Sequence, residues 1–347
     1  MAFITLLLIT IMFTFTSETL RPSRRDLRNV NQARLCTQLP SYVRKMSNVR
    51  CTRTVRNVHV LYNATVIASK ECKRAFHNQP WNCSSGNAYM DKLVTRSFRE
   101  SAYVFTLYSA SLAFSLASAC SNGLVDNCRC IEKQMEETKT FGNGDFVLKG
   151  ARCFADSIKF GIEESRNLFQ NEKHRDAKAL IDQHNKEAGR LAVLYTSFAQ
   201  GTYCHCHGMS GACASKKCVK RLPKFSVIAD SVKKLYETAI KVGIDNNAEK
   251  LKTAKNQRAD PTKKDMIYAE ESPTFCDKDV RAGIAGSNGR ECDLNPSSPI
   301  YCKKLCCNRG YTTQLKRITE PCQCKFKYCC KVECETCSKI KLHHYCK

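Results

Sequence analysis

Cys204-His205-Cys206-His207-Gly208-Met209-Ser210-Gly211-Ala212-Cys213-Ala214-Ser215-Lys216-Lys217-Cys218 is the stretch from which the rest of the chain is best read. Residues two apart in a strand share a face, so Cys204 and Cys206 project the same way. Pairing Cys206 with Cys213 and Cys204 with Cys218 nests two bridges around one turn. Both bridges then centre on Ser210 and its neighbours. Gly208 and Gly211 supply backbone freedom in the bend. The expected product is a stapled hairpin, 204–218, with a hydroxyl at its apex.

Three other readings compete at this stretch. Cysteines and histidines this close could ligate zinc. In a strand, however, the alternation puts the two cysteines on one face and His205 and His207 on the other. Gly208-Met209-Ser210-Gly211-Ala212 also approaches the G-x-S-x-G nucleophile elbow. That motif needs a strand-to-helix turn, whereas here cysteines pin both sides and no acidic residue is placed to orient a histidine. No catalytic residue and no metal site is therefore assigned. The third reading, a purely structural turn, does not require an exposed serine with Met209 beside it, but nothing intrinsic forbids it.

A second nest lies further on, at Cys322-Gln-Cys324-Lys-Phe326-Lys327-Tyr328-Cys329-Cys330-Lys-Val332-Glu-Cys334-Glu-Thr-Cys337. Cys322–Cys337, Cys324–Cys334 and Cys329–Cys330 share one centre. The expected tip carries a vicinal disulfide flanked by Phe326, Tyr328 and Val332. Apolar groups on a stiffened loop bind with little ordering entropy to lose.

The whole chain fits an oxidising compartment. It has 347 residues and 24 cysteines. Such a load implies a disulfide framework outside the cell. The apolar run Phe3 to Phe15 has the length of a signal-peptide h-region and is too short to span a bilayer. Residues 1–17 are expected to be a signal peptide, although the n-region lacks Lys or Arg. Sequons at Asn63 and Asn82 fit the same route. The net charge of +24 suits sulfated glycans or anionic surfaces for a secreted protein, and nucleic acid is not expected as a partner. Between Lys216 and Lys264, 14 Lys/Arg stand against 5 Asp/Glu, which keeps a secreted, basic, glycan-binding matrix protein as the rival reading.

The chain divides by composition. Residues 18–60 are polar and basic, anchored only by Cys36 and Cys51. Tyr89 to Ala119 reads as one long helix. Its uncharged part, from Ser101, is studded with hydroxyls, and Ala110, Ala113 and Ala117 offer small positions for a close helix. A buried core helix is expected there rather than a membrane span. A second helical block covers about 156–199, and an amphipathic segment lies within 219–242. Residues 243–271 lose the pattern and read as a linker. From Ser272 the helical period disappears, and 12 of the 24 cysteines fall between Cys276 and Cys346. Cross-links must hold that half, since its apolar core is small.

These residues resemble the Wnt family. The 204–213 run is similar to the Wnt lipidation motif. Further matches follow in family order. They are Glu71-Cys72, Trp81-Asn82-Cys83-Ser84, Ala119-Cys120-Ser121, Asp156 to Gly161, His184 to Arg190, Ser272-Pro273, Gly289 to Cys292 and Leu305 to Tyr311. The resemblance implies an α+β, disulfide-rich fold. A helical N-terminal domain (18–242) would bear a lipidated thumb hairpin. After the linker, a small cystine-knot-like C-terminal domain (272–347) of strands and loops would bear an index-finger hairpin (322–337). It implies the pairs Cys72–Cys83, Cys120–Cys128, Cys130–Cys153, Cys276–Cys307, Cys292–Cys302 and Cys306–Cys346, leaving Cys36 and Cys51 to each other. It implies no bound cofactor but a palmitoleoyl-type ester on Ser210. Contact with the cysteine-rich domain of a Frizzled receptor would run through His207, Gly208, Met209, Ser210 and Gly211 on the thumb. On the finger it would run through Phe326, Lys327, Tyr328, Cys329, Cys330 and Val332. Further implied partners are the membrane acyltransferase Porcupine, the carrier Wntless, an LDL-receptor-related co-receptor and heparan sulfate proteoglycans. The chain departs from the family pattern at Val219 and Tyr328, where Trp is usual, at Lys327, where His is common, and at Asn308, where Gly is usual. Gly150 to Cys153 replaces a Trp- and Gly-rich stretch. It is read as a divergent member, secreted to the extracellular space and matrix through the endoplasmic reticulum.

Overall fold

The computed structural model describes residues 32–47, 49, 57–83, 86–125, 127–128, 146–149, 151–169, 176–207, 215–244, 251–253 and 260–347. The helices in the first half are α1 (Gln32–Gln38), α2 (Ser41–Met46), α3 (Val58–Ala75), α4 (Asn87–Leu93) and α5 (Arg99–Ser121). Strand β1 (Phe146–Lys149) precedes α6 (Ala151–Leu168) and α7 (Ala177–Gln200). Then come β2 (Thr202–His207), β3 (Ser215–Lys220), α8 (Phe225–Glu237), β4 (Ile240–Ile244), β5 (Leu251–Thr253) and β6 (Ile267–Tyr268). The last elements are β7 (Glu291–Cys292), α9 (Cys302–Leu305), β8 (Tyr311–Lys327) and β9 (Lys331–Cys346). They form three three-stranded sheets, ordered β1-β3-β2, β5-β4-β6 and β7-β9-β8.

α5 is the axis of the main core. It is long and apolar enough to cross a membrane by length and composition, yet 83% of its apolar window is buried inside the protein. Its hydroxyls find acceptors: Ser109 Oγ donates to the Lys186 carbonyl and Ser111 Oγ to the Ala64 carbonyl, each at 2.7 Å. Two glycines set how closely its neighbours approach. A Cβ on Gly161 of α6 would lie 2.3 Å from the Ala113 carbonyl oxygen. One on Gly189 of α7 would lie 2.1 Å from the Thr106 carbonyl oxygen. Backbone meets backbone at both crossings, as the small-residue stripe on α5 leads one to expect.

The long helix expected over 89–119 is in fact two. Residue 97 breaks it, because its backbone pairs elsewhere. Ser97 N–H donates to Glu270 Oε1 at 2.9 Å, and its carbonyl accepts from the Ala269 and Glu270 N–H groups. Ser101 Oγ donates to the Leu93 carbonyl, which also accepts the Arg96 N–H. The second block also divides, and Asp176 caps α7 by accepting the Ala179 N–H at 2.7 Å. That is the expected role of an N-cap carboxylate.

Two stretches without a sequence signal are ordered. Residues 32–46 form α1 and α2 and bury Leu39, Tyr42, Val43 and Met46. The Tyr42 hydroxyl meets the Tyr108 hydroxyl at 2.8 Å. Within 243–271, read as a linker, β5 and β6 pair with β4. Asn185 of α7 holds β6 from both sides: its amide donates to the Ile267 carbonyl and accepts the Ile267 N–H, each at 2.9 Å.

The cystine-dense region is anchored on the helices. Phe275 and Ile284 belong to the main core. Cys292, Cys302, Leu305, Cys306 and Cys346 form a separate small cluster. The Arg290 guanidinium donates to the carbonyls of His77, Gln79 and Pro80, which locks the two parts together.

Candidate functional site: two stapled hairpins

The first hairpin leaves α7 at Gly201. A Cβ there would lie 2.3 Å from the Ser197 carbonyl oxygen and 2.8 Å from the Phe154 ring, so only glycine makes this exit from the helix. β2 pairs with β3 antiparallel, setting Cys204 opposite Cys218 and His207 opposite Ser215. Cys204 and Cys218 are disulfide-bonded. At the base, Arg221 N–H donates to the Gly201 carbonyl at 2.9 Å, and the Arg221 guanidinium lies 3.9 Å over the Tyr203 ring. β1 adds to β3 in parallel, an edge for which the sequence carries no signal. Cys206 is disulfide-bonded. Gly208, Met209, Ser210, Gly211 and Cys213 lie outside the described residues, as do Cys51, Cys130 and Ser84.

The second hairpin is long. β8 and β9 pair from Tyr311↔Cys346 to Lys327↔Lys331, with one irregularity between Cys322 and Lys325. Cys322–Cys337 and Cys324–Cys334 cross it near the tip, and Cys306–Cys346 clamps its base. Phe326 faces Val332 across the strands. Tyr328 at the tip is 100% exposed. Lys327 and Lys331 both bond Glu333, at 2.6 and 3.1 Å, and hold its carboxyl below its ordinary range.

The expected Cys329–Cys330 bridge is not formed. Both are exposed free thiols with their sulfurs 2.9 Å apart, against about 2.05 Å in a disulfide. Consecutive Cα atoms stand at most about 3.8 Å apart, below the usual disulfide span of roughly 4.4–6.8 Å.

The remaining cross-links among described cysteines are Cys72–Cys83, Cys120–Cys128, Cys276–Cys307 and Cys292–Cys302. Cys36 and Cys153 are also disulfide-bonded. Cys292, Cys306 and Cys346 bring three sulfurs within 4.8 Å of one another. All three are oxidised in disulfides, and zinc needs thiolates, so this group does not hold a metal. Asn63 lies exposed on α3 and Asn82 lies part-buried beside the Cys72–Cys83 bridge.

The Wnt family model matches residues 39–347. This chain belongs to the Wnt family. It is 34% identical over 301 residues to Wnt-1 of Ambystoma mexicanum, covering 83% of this chain and 79% of that protein. It is 32% identical over 319 residues to Wnt-2b-A of Xenopus laevis, covering 90% and 88%. Among solved structures it is similar to a chain of human WLS in complex with WNT8A. The TM-score is 0.60 with 29% identity, over 84% of this chain and 94% of that one. The chain is accordingly a Wnt signalling ligand with a disulfide-rich fold of mixed helix and strand.

Several of its Wnt-like motifs turn out to be packing devices. In His184 to Arg190, Asn185 ties down β6, Gly189 admits α5, and Glu187 bridges Arg166 and Arg190. Arg190, fully buried, also donates to the Ser165 hydroxyl and carbonyl. Lys186 in the same motif is fully buried. Its pKa is lowered to about 8 by burial, and burial likewise raises nearby Asp182 to about 6. No periodicity marks these charges as buried, since Lys and Asp at such positions read as solvated.

Proposed function

We propose that this Wnt protein is secreted through the endoplasmic reticulum, is acylated on Ser210 and grips the cysteine-rich domain of a Frizzled receptor with both hairpins. The observation that carries this reading is the first hairpin. Its strands are stapled at Cys204–Cys218 and rooted directly on α7. A stapled support of this kind lowers the ordering cost of binding through the hairpin it carries. Each buried CH₂ of an acyl chain contributes roughly 0.8 kcal/mol, so a long chain would dominate the affinity. The second hairpin would contribute Phe326, Tyr328 and Val332, all exposed. The basic linker region and hairpins suit heparan sulfate as an auxiliary partner, and an LDL-receptor-related co-receptor completes the expected set. Porcupine as acyltransferase and Wntless as carrier fit the same route. The likeness to a structure of WLS with WNT8A supports the carrier.

Mass spectrometry of the secreted protein after proteolysis of the first hairpin tests the ester. Ser210→Ala is expected to abolish signalling while leaving heparin binding intact. An unmodified Ser210 in receptor-active material would remove the acylation claim. Unchanged activity of the alanine variant would instead favour a glycan-binding protein that acts by charge.

A further inference from the structure

A cavity of about 200 Å³ lies where the helical part meets the cystine-dense part. Trp81 and Asn82 line it from the first part, and Phe275, Ile284, Asn288 and Arg290 from the second. Trp81, Phe275 and Ile284 are buried, with the Trp81 and Phe275 rings 6.2 Å apart. Asn82 is half-buried and Asn288 is exposed. The wall is therefore apolar and aromatic inside and polar towards solvent. Ligand pockets usually measure about 300–1,000 Å³, so this one has room for a single sugar ring and not for a chain of them. It is not a ready-made anion site either. Both Arg290 Nη atoms already donate to backbone carbonyls, those of His77, Gln79 and Pro80.

The sequence names an occupant. Asn82-Cys83-Ser84 is an acceptor for an N-linked glycan. A glycan on Asn82 starts from the cavity wall, whereas one on Asn63 starts from the exposed face of α3. We infer that the first N-acetylglucosamine of an Asn82 glycan seats in this cavity and wedges the helical part against the cystine-dense part. This rests on passage of the chain through the endoplasmic reticulum. Attachment joins Asn82 Nδ2 to C1 of the sugar. The bond from C1 to its lipid-diphosphate carrier breaks, the diphosphate leaves, and Nδ2 gives up one proton. The apolar wall suits the C–H face of the ring. The acetamide carbonyl is an acceptor of the kind that Trp81 Nε1 lacks, since that buried N–H has no partner among the described residues. Covalent tethering makes entry intramolecular, so individually weak contacts suffice.

The test treats the full secreted chain with peptide N-glycosidase and follows each glycopeptide by mass spectrometry. Release at Asn82 is expected to be at least about tenfold slower from the native chain than after reduction and denaturation, as for any group freed only by local opening. Release at Asn63 is expected to differ little between the two. Ala285 lines the same cavity, and Ala285→Phe fills it, which should bring native release at Asn82 close to the denatured rate. That variant separates a seated sugar from a bond that is merely hindered. Trimming the glycans to one N-acetylglucosamine should leave the melting temperature within about 1 °C, whereas Asn82→Gln should lower it by at least about 2 °C. The release ratio and the trimming are read on the unmutated chain, so they decide the matter even where a variant fails to fold. Equal native and denatured rates at Asn82, or slow native release that Ala285→Phe leaves unchanged, overturn the inference. A bare Asn82 in secreted protein overturns it and leaves the secretory reading standing. A chain that never enters the secretory route removes both.

Discussion

α5 carries no charged residue from Ser101 to Ser121 and is buried along most of its length, whereas no residue of the second hairpin from Tyr311 to Tyr345 is buried. The helix is held from outside, by two neighbouring helices whose glycines let backbones touch. Among the described residues, nothing buries either face of the hairpin from Tyr311 to Tyr345. A two-stranded ribbon in water is marginal on its own, and here covalent bridges at tip and base take the place of a core. The difference separates stability from recognition. A change inside the helical core should alter folding, and a change on the hairpin should alter what the molecule binds.

The comparison breaks most visibly if the core tolerates bulk. Gly189→Val puts side-chain atoms where the Thr106 carbonyl already stands, and overpacking of this kind costs about 3 kcal/mol or more. The expected outcome is loss of secreted protein, scored by secretion level against wild type. Normal secretion would show that α7 can shift off α5.

The next effect tests a flaw inside the core. Lys186 titrates at about 8, below its ordinary 10.5, because burial penalises the ammonium. Above pH 10.5 it is neutral folded and unfolded. Between about 8 and 10.5 only the unfolded chain holds the proton, so stability rises with pH across that window. Below pH 8 the penalty is full, about 3 kcal/mol. Asp182 works in the opposite sense: its pKa of about 6 means that stability rises as pH falls from 6 towards 4. Denaturant unfolding at pH 7 and pH 9.5 is expected to show Lys186→Met more stable than wild type at pH 7, with the alkaline gain reduced. Equal pH profiles in the two proteins would mean that the ammonium is better solvated than its position indicates.

On the hairpin the expected effects are local. Removing the Cys324–Cys334 bridge by paired serine substitution reopens a ten-residue separation, worth about 2–3 kcal/mol of unfolded-state restriction. Amide hydrogen exchange is expected to speed up around the tip, with the protection of α5 untouched. Slowed or unaltered exchange at the tip would show that the strand ladder alone suffices. Smallest of all, Tyr328→Ala should change stability by less than about 0.5 kcal/mol, since the side chain touches only solvent. Its effect is expected in receptor affinity, measured with an isolated cysteine-rich domain.

Legibility followed the range of the interactions. The Cys204–Cys218, Cys322–Cys337 and Cys324–Cys334 bridges could be read from spacing, because nested cysteines around a turn leave few pairings with strand geometry. The amphipathic segment that became α8 was visible for a similar reason, as its apolar positions recur at helical steps. The break between α4 and α5 was not visible, because it depends on Ser97 meeting Glu270 across 173 residues. The two- and three-residue strands β5 and β6 are too short to alternate. The Cys329–Cys330 pairing rested on symmetry of spacing, which does not say whether adjacent sulfurs close, and the structure leaves the two sulfurs adjacent and unbridged.

By itself the sequence determined the Wnt-like order of its motifs and the Cys204–Cys218, Cys322–Cys337 and Cys324–Cys334 bridges, since both depend on which residues stand near one another in the chain. Only the tertiary structure decided that Gly161 and Gly189 are contact points on α5, that Lys186 and Arg190 are buried, and that the linker region carries strands tied to α7. It also left Leu315, Ile340 and Leu342 bare on a basic ribbon. Burial and exposure are properties of what packs against a residue, and for these residues the neighbours come from distant parts of the chain or, on the ribbon, are absent among the described residues.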